Sequence, residues 1–432
     1  MGGAAHPSAP PSLTLWGMVM KYTHGYEAAL KLLLDYAGPA AVENVPLELA
    51  AGRVLAGDFY AMEDVPSFER SPYDGYAMRS ADIKAASKDR PVVLSITEEI
   101  AAGKIPQKKL AGGTAAKVMT GAMLPEGADC VEMFEKTDEA TPGTVKLFSP
   151  LSPGENVIRA GEDVKKGCLL ARSGAVIDPG LAGSFATQGV TMPTVFRRPK
   201  AGLISTGSEI VPAEAPVPAG KIRNSNRYSL TAALTSDGCE VEWFGIAGDD
   251  TASIADLIQK ALDGCDIVLL TGGVSVGDYD LTKEAMEAAG IEILVCGVGI
   301  KPGMACCYGV RAFGRLHKLV IALSGNPASA LTNYYGVVRG AVKRLCGLSY
   351  DQEIFEKELF EVRLAEDYHK KSMTTRFLRG RLGFRDGHAE LRLSQDQGNI
   401  VLSSTIGANM MAIVPAGSPP LKAGTVLKGF LL

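Results

Sequence analysis

The chain has 432 residues, room for roughly two to four domains with cores of their own. A formal charge of -4 and a pI near 5.9 exclude a basic nucleic-acid binder as the starting assumption. A mean hydropathy of +0.10, with no stretch of spanning length free of charges or glycine breaks, excludes a helical membrane protein.

Residues 1–20 are rich in Ala, Pro and Ser and lack the basic start and apolar core of a signal peptide, so they read as a disordered leader or an over-extended start. The compartment expected is cytoplasmic. The cysteines form no CxxC pair and the histidines no HxxxH, which argues against structural zinc. Cys306 and Cys307 are adjacent and read as reduced, partly buried thiols. From 26 to 36, Ala29, Leu30, Leu33 and Leu34 recur at helical spacing, and 47–54 suits a second short helical segment. In 65–83, Pro66, Pro72 and Gly75 forbid a long regular element and leave Asp74 in a turn between Tyr73 and Tyr76. A solvated turn aspartate is one reading of Asp74. From 91 to 148, short β-prone runs alternate with Gly/Pro turns, one of which holds Thr120 and Gly121, so a small β-rich domain is expected. Asp163 sits in a glycine-marked loop beside Arg159 and Glu162, and 178–188 reads as a capped helix.

From Lys200 the pattern becomes strand, glycine turn, helix, repeated. Strands are expected at 201–205, 240–246, 267–270, 291–295 and 319–323. Helices are expected at 226–236, capped by Asn226, then to 262, from 281, and from 327 to 341. Such alternation predicts a doubly wound parallel sheet, with the loops after its strands on one edge and ligands outside that edge. Glu209, Asp249, Asp280 and Asn326 should therefore converge on one crevice. The loop 271–277, with Gly272, Gly273, Ser275 and Gly277 between a strand and a helix, suits an anion site. Asp278 and Asp280 at its mouth suit a cation bridging to phosphate. A tight turn without ligand fits the same residues. After 348 the helical period disappears, and strands are expected at 354–364, 375–382, 389–393, 400–403 and 410–414.

The runs SPYDGYAM, MTGAMLPEGAD, GEDV, ISTGSE, TGGVSVGDYDLTK, IKPG and SGNPASA, in this order and spacing, resemble the molybdopterin molybdenumtransferases, a family that includes bacterial enzymes and the E domain of gephyrin. The resemblance covers nearly everything after residue 20. It implies an α/β-plus-β protein of several domains: an N-terminal helical and mixed domain (21–65 and 156–197), a β-rich insertion (66–155), a molybdopterin-binding α/β domain (198–347) and a barrel-like β domain (348–432). It implies a homodimer that inserts molybdate into adenylylated molybdopterin with release of AMP and with Mg²⁺ present. Contact with a molybdopterin adenylyltransferase and with molybdoenzyme apoproteins is also implied. The alternatives are a paralogue that binds the pterin nucleotide without inserting metal, or one that inserts tungstate.

By the resemblance, Asp74 and Thr120 belong to the part of the site contributed across the dimer. Asp163, Glu209, Asp249, Asp280 and Lys301 match other functional positions, with Asp249 and Asp280 as metal ligands. Thr206, the 272–277 glycine loop, Ser324, Gly325, Asn326 and Pro327 would bind substrate, as would Arg379 and Ser404 where the C-terminal domain reaches the cleft. The chain departs from the family's usual KPGKP and LPGNP runs with KPGMA and LSGNP, and Met304 and Gly297 stand where lysines are common.

Overall fold

The computed structural model describes residues 24–39, 41–274, 281–314 and 316–432. The predicted leader 1–20, and Ser275, Gly277, Asp278 and Asp280 of the glycine loop, lie outside the described residues.

The first helix, Tyr26–Tyr36, buries Tyr26, Ala29, Leu30, Leu33 and Leu34, one apolar stripe at helical spacing. It packs on the α/β part of the chain, against Arg339–Leu345 and the strand Leu316–Leu323. The chain then runs out through Val42–Asn44 and Phe59–Tyr60. It returns through Leu169–Ala171 and Thr194–Phe196, which pair antiparallel with the outgoing strands. Between the two passes lies a six-stranded sheet in the order Cys130–Met133, Gly75–Met78, Thr114–Val118, Val92–Ile100, Thr144–Leu147, Thr137–Glu139. Its alternating residues feed two cores: Ala116 and Val118 face one, Ala115 the other. Of the predicted segment 47–54, only Leu47–Leu49 is helical, as a single 3₁₀ turn.

The central sheet runs Glu240–Ala247, Lys200–Thr206, Ile267–Thr271, Leu316–Leu323, Cys306–Phe313, Glu292–Cys296. The first four strands are parallel; Cys306–Phe313 pairs antiparallel with both of its neighbours, so the sheet is mixed rather than wholly parallel. The physical reason is a hairpin the sequence reading missed. Cys306–Phe313 folds directly back on Leu316–Leu323, with Gly314 at φ 64° in the turn, so no crossover helix separates them. Ile267–Thr271 is buried along its whole length, as its unbroken apolar run requires of a strand covered on both faces.

The helix expected from Asn226 begins at Ser225, and its N-cap is Asn224, whose side chain accepts from Arg227 N at 3.1 Å. The helix after Asn326 runs through a π turn at Tyr334–Val338 and on to Leu345. Of the strand expected at 354–364, residues 354–358 are instead helical, because Asp351 caps Ile354 N at 2.9 Å and starts the helix Gln352–Glu358 before Phe360–Leu364 takes up the strand. Residues 400–403, also expected as strand, give way to a 3₁₀ turn at Leu402–Thr405, where Ser404 and Thr405 hydroxyls bond back to the chain.

The C-terminal strands close a five-stranded barrel: Thr375–Arg385, His388–Leu393, Phe360–Leu364, Val426–Leu431, Met410–Val414 and back to Thr375–Arg385. Val426–Leu431 was not anticipated. An aromatic seam seats the barrel: Tyr26 lies 5.5 Å from Phe377, and Phe377 lies 5.9 Å from Phe430, ring to ring. A second tie is the two-residue strand Ile300–Lys301, which leaves the α/β part and adds in parallel to Thr375–Arg385. Both ties hold the barrel over the edge of the central sheet.

Candidate active site

Two adjoining clefts lie where that edge meets the barrel. The first, about 640 Å³, has Thr206, Glu209, Asn226, Gly272, Gly273 and Pro327 in its walls. The second, about 500 Å³, has Lys301, Met304, Lys370 and Arg376. Ala305, Ser324 and Asn326 belong to both, so they form a common wall.

The first cleft is built on close backbone approach. Gly272 has φ 104°, and a Cβ there would sit 2.5 Å from the Thr206 carbonyl oxygen; one on Gly273, at φ 68°, would sit 2.3 Å from Thr282 Oγ1. Only glycine fits either position. Gly272 N donates to Leu323 O at 3.1 Å, and Thr282 Oγ1 donates to Gly272 O at 3.2 Å, which locks the turn against both the next strand and the following helix. Behind it, Asn224 Nδ2 donates to Ser205 Oγ at 3.0 Å, and Ser205 Oγ lies 3.2 Å from Thr271 Oγ1. Asn226 Nδ2 donates to Gly325 O at 2.9 Å, fixing the Ser324–Pro327 loop. Its Oδ1 is buried in the cleft wall with no hydrogen-bond partner among the described residues.

At the outer end, Asp249 Oδ2 accepts from Ser208 N at 3.0 Å. Hydrogen bonds from the Ser208 hydroxyl and N–H, with help from Lys221, hold the Asp249 carboxyl below its ordinary range. Glu209, the next residue after Ser208, lines the first cleft; Asp249 stands beside it, just outside the lining. Glu209 and Asn326 thus converge as expected, Asp249 adjoins them, and Asp280 lies outside the described residues.

In the second cleft, Lys301 is exposed and is the register partner of Arg376. Arg376 is 8% exposed, its Nε is buried without a hydrogen bond, and it has no ion pair among the described residues. Its guanidinium carbon lies 5.8 Å from the centre of the Tyr368 ring, and a buried guanidinium without an ion pair is costly unless an anion meets it. Met304, at 38% exposed, lies along this cleft rather than in a core. Asn333 Nδ2 donates to Gly303 O at 2.9 Å and Asn333 Oδ1 accepts from Tyr308 OH at 2.5 Å, so a buried side chain holds the Lys301–Met304 turn in place.

Arg379 and Ser404 line neither cleft. Arg379 is wholly buried and donates to Ser404 Oγ at 2.9 Å, to Gly398 O at 3.0 Å and to Thr332 Oγ1 at 3.5 Å. Its backbone N–H donates to Gln397 Oε1 at 2.9 Å. Arg379 therefore shapes the 394–404 loop, which gives Ile400 and Leu402 to the first cleft and Gln397, Gly398 and Asn399 to the second. Asp74 and Thr120 meet one another in the inserted sheet: Asp74 Oδ1 accepts from Thr120 N at 2.7 Å and from Thr120 Oγ1 at 2.9 Å, which lowers the Asp74 pKa. Neither residue lines the two clefts, and Asp163 is exposed on the returning segment.

Sequence reasoning missed Arg376, Lys370, Asn224, Asn226 as a cleft residue, and Asn333. Arg376 carried one signal, a cation inside a run otherwise suited to a buried strand; its place beside Lys301 depends on a pairing between distant segments.

Comparison with known proteins agrees along the chain. Residues 24–189 match the MoeA N-terminal region (domain I and II), 202–344 a probable molybdopterin binding domain, and 361–431 the MoeA C-terminal region (domain IV). A molybdopterin molybdenumtransferase of Staphylococcus aureus (strain Mu50) is 34% identical over 92% of this chain and 92% of its own. One from Staphylococcus epidermidis (strain ATCC 12228) is 33% identical over 89% and 90%. Among solved structures, the molybdopterin biosynthesis MoeA protein of Pyrococcus horikoshii OT3 superposes with a TM-score of 0.79 at 30% identity, covering 95% of this chain and 100% of that one. With its mixed α/β sheet, closed C-terminal barrel and glycine-walled cleft, the chain belongs to the molybdopterin molybdenumtransferase family.

Proposed function

We propose that this enzyme inserts molybdenum from molybdate into adenylylated molybdopterin, with release of AMP, and that the two clefts divide the substrates between them. The observation that carries this reading is Arg376, a buried cation without an ion pair among the described residues, in register with Lys301 at a cleft that shares a wall with the glycine turn. The oxoanion is the fitting counter-charge there, and Lys370 adds a third cation. Arg376 and Lys370 thereby offset the lysines missing at Met304 and Gly297.

In the first cleft, the backbone at Gly272 and Gly273 lets a phosphate approach closely. Asn226 Oδ1 accepts from an N–H of the pterin, and Glu209 orients the adenylate end or carries a proton. Asp249, held ionised, offers a hard oxygen ligand next to Glu209. Among the described residues no three His, Cys, Asp or Glu gather to hold a metal by themselves. Mg²⁺ fits such a site, since it takes one or two carboxylates and completes its shell with water and substrate phosphate. Asp249 would hold it, with Asp280 as the second ligand expected from the sequence. When bound, the metal draws charge from the phosphate and makes phosphorus a better electrophile.

The working unit in this reading is a homodimer in the cytoplasm. Asp74, exposed and away from its own chain's clefts, completes the site of the other subunit. No described helix is long and apolar enough to cross a membrane.

The test is to supply purified protein with adenylylated molybdopterin and either molybdate or tungstate, and to follow AMP and cofactor together. Oxoanion-dependent production of both is expected. Tight pterin-nucleotide binding with neither product would identify a binding paralogue instead.

A further inference from the structure

Cys296 ends the edge strand Glu292–Cys296, and Cys307 lies directly opposite it on Cys306–Phe313. Their sulfurs are 2.7 Å apart. Residues facing one another in an antiparallel pair have Cα atoms about 4.5–5.5 Å apart, within the ~4.4–6.8 Å that a disulfide spans. Cys306 points to the other face of the sheet, where its Sγ lies 3.5 Å from Met304 O, so adjacency in sequence does not make it a competitor. Cys307 is 1% exposed, whereas Cys296 is partly open and is the thiol a small oxidant reaches first.

We propose that Cys296 and Cys307 are a peroxide-oxidisable thiol pair whose disulfide closes a covalent ring around the Lys301 turn. The ring would take in residues 297–306, including the Lys301, Pro302, Gly303, Met304 and Ala305 wall of the second cleft. In the first step the Cys296 thiolate attacks one oxygen of hydrogen peroxide. The O–O bond breaks, a sulfenic acid forms, and the departing hydroxide takes the thiol's proton as water. In the second step the Cys307 sulfur attacks the sulfenic sulfur, the S–S bond forms, and the second oxygen leaves as water with the Cys307 proton. Two thiols are oxidised and one peroxide is reduced to two waters. A small dithiol reverses the reaction by exchange.

The experiment uses the full chain, oxidised with stoichiometric hydrogen peroxide, then alkylated and mapped by mass spectrometry under non-reducing conditions. The expected product is lighter by two hydrogens and carries a single cross-link between the Cys296 and Cys307 peptides, reopened by dithiothreitol. Cys296→Ser and Cys307→Ser should each abolish the cross-link, and Cys168→Ser, at an exposed cysteine elsewhere, should leave it. The oxidised wild type should unfold at a higher temperature than the reduced form, a difference absent from Cys307→Ala. A cross-link between other cysteines, a sulfinic acid at Cys296 with Cys307 still reduced, or no lighter species at all would each overturn the proposal. The wild-type map decides even where a variant fails to fold.

Discussion

Lys301 and Arg376 are register partners across a strand pairing that joins the α/β part of the chain to the barrel. One comes from the loop after the sheet, the other from the first strand of the barrel, and both line the second cleft. Holding two cations side by side at a domain junction is unfavourable on its own. In the function proposed above an oxoanion between them offsets that repulsion, which would couple the seating of the barrel to the binding of the anion.

Met304 stands in the same cleft at 38% exposed. A lysine there meets solvent and should not destabilise the chain. After screening and desolvation its added charge is worth about 1 kcal/mol. Met304→Lys should therefore lower the molybdate concentration for half-maximal AMP release by a few-fold, with an unchanged melting temperature. An unchanged half-saturation in a folded variant would show that position 304 does not tune the anion.

Gly273→Ala places a methyl group 2.3 Å from Thr282 Oγ1 at φ 68°. The strain should cost about 1–3 kcal/mol, and the displaced turn should lose pterin-nucleotide affinity beyond what the stability loss explains. Calorimetric titration of the folded variant with adenylylated molybdopterin checks this; wild-type affinity would mean the turn does not bind the nucleotide.

The pairing of Asp74 with Thr120 away from both clefts makes a subunit-mixing experiment informative. Chains carrying Asp74→Ala and chains carrying Glu209→Ala, each inactive alone, should recover part of the activity when mixed and reassembled, because one hybrid site is then intact. If both parents are folded and dimeric and the mixture stays inactive, the shared site fails.

Asp249 has its folded pKa lowered, first by the Ser208 hydroxyl and N–H. A lowered carboxyl stabilises the fold above its unfolded pKa, about 3.9, and that contribution fades as pH falls through the lower folded value. Asp249 should hence stay ionised across pH 5–8 and give no acidic limb to the activity profile there. Carboxyl NMR titration, assigned with Asp249→Asn, should show a midpoint below that of a free aspartate; a midpoint at or above it would contradict the hydrogen-bond assignment.

Much of the fold was legible in local pattern. The buried run Ile267–Thr271, the stripe from Tyr26 to Leu34 and the helix capped by Asp178 each follow from spacing and one polar side chain. What escaped was decided by competition or by distance. Asn224 and Asn226 both suit a cap, and only the fold shows that Asn224 caps the helix while the Asn226 side chain ties down Gly325, with both in the wall of the first cleft. Asp351 starts a helix in a stretch whose apolar residues also suit a strand. The hairpin at Gly314 turned two strands antiparallel where alternation alone suggested crossovers. Arg376 and Lys370 could be read as ordinary surface cations until the barrel closed against the sheet.

The most direct measurement is AMP release from adenylylated molybdopterin against molybdate concentration for wild type and Arg376→Met, with melting temperature recorded with and without molybdate. Charge-assisted hydrogen bonds are worth about 1.5–3 kcal/mol, so half-saturation should rise roughly ten- to hundredfold. Removing an unpaired buried cation should leave the unliganded protein as stable or more stable, while the molybdate-induced rise in melting temperature should disappear. Wild-type molybdate dependence in a folded Arg376→Met protein would contradict the placement of the oxoanion between Lys301 and Arg376.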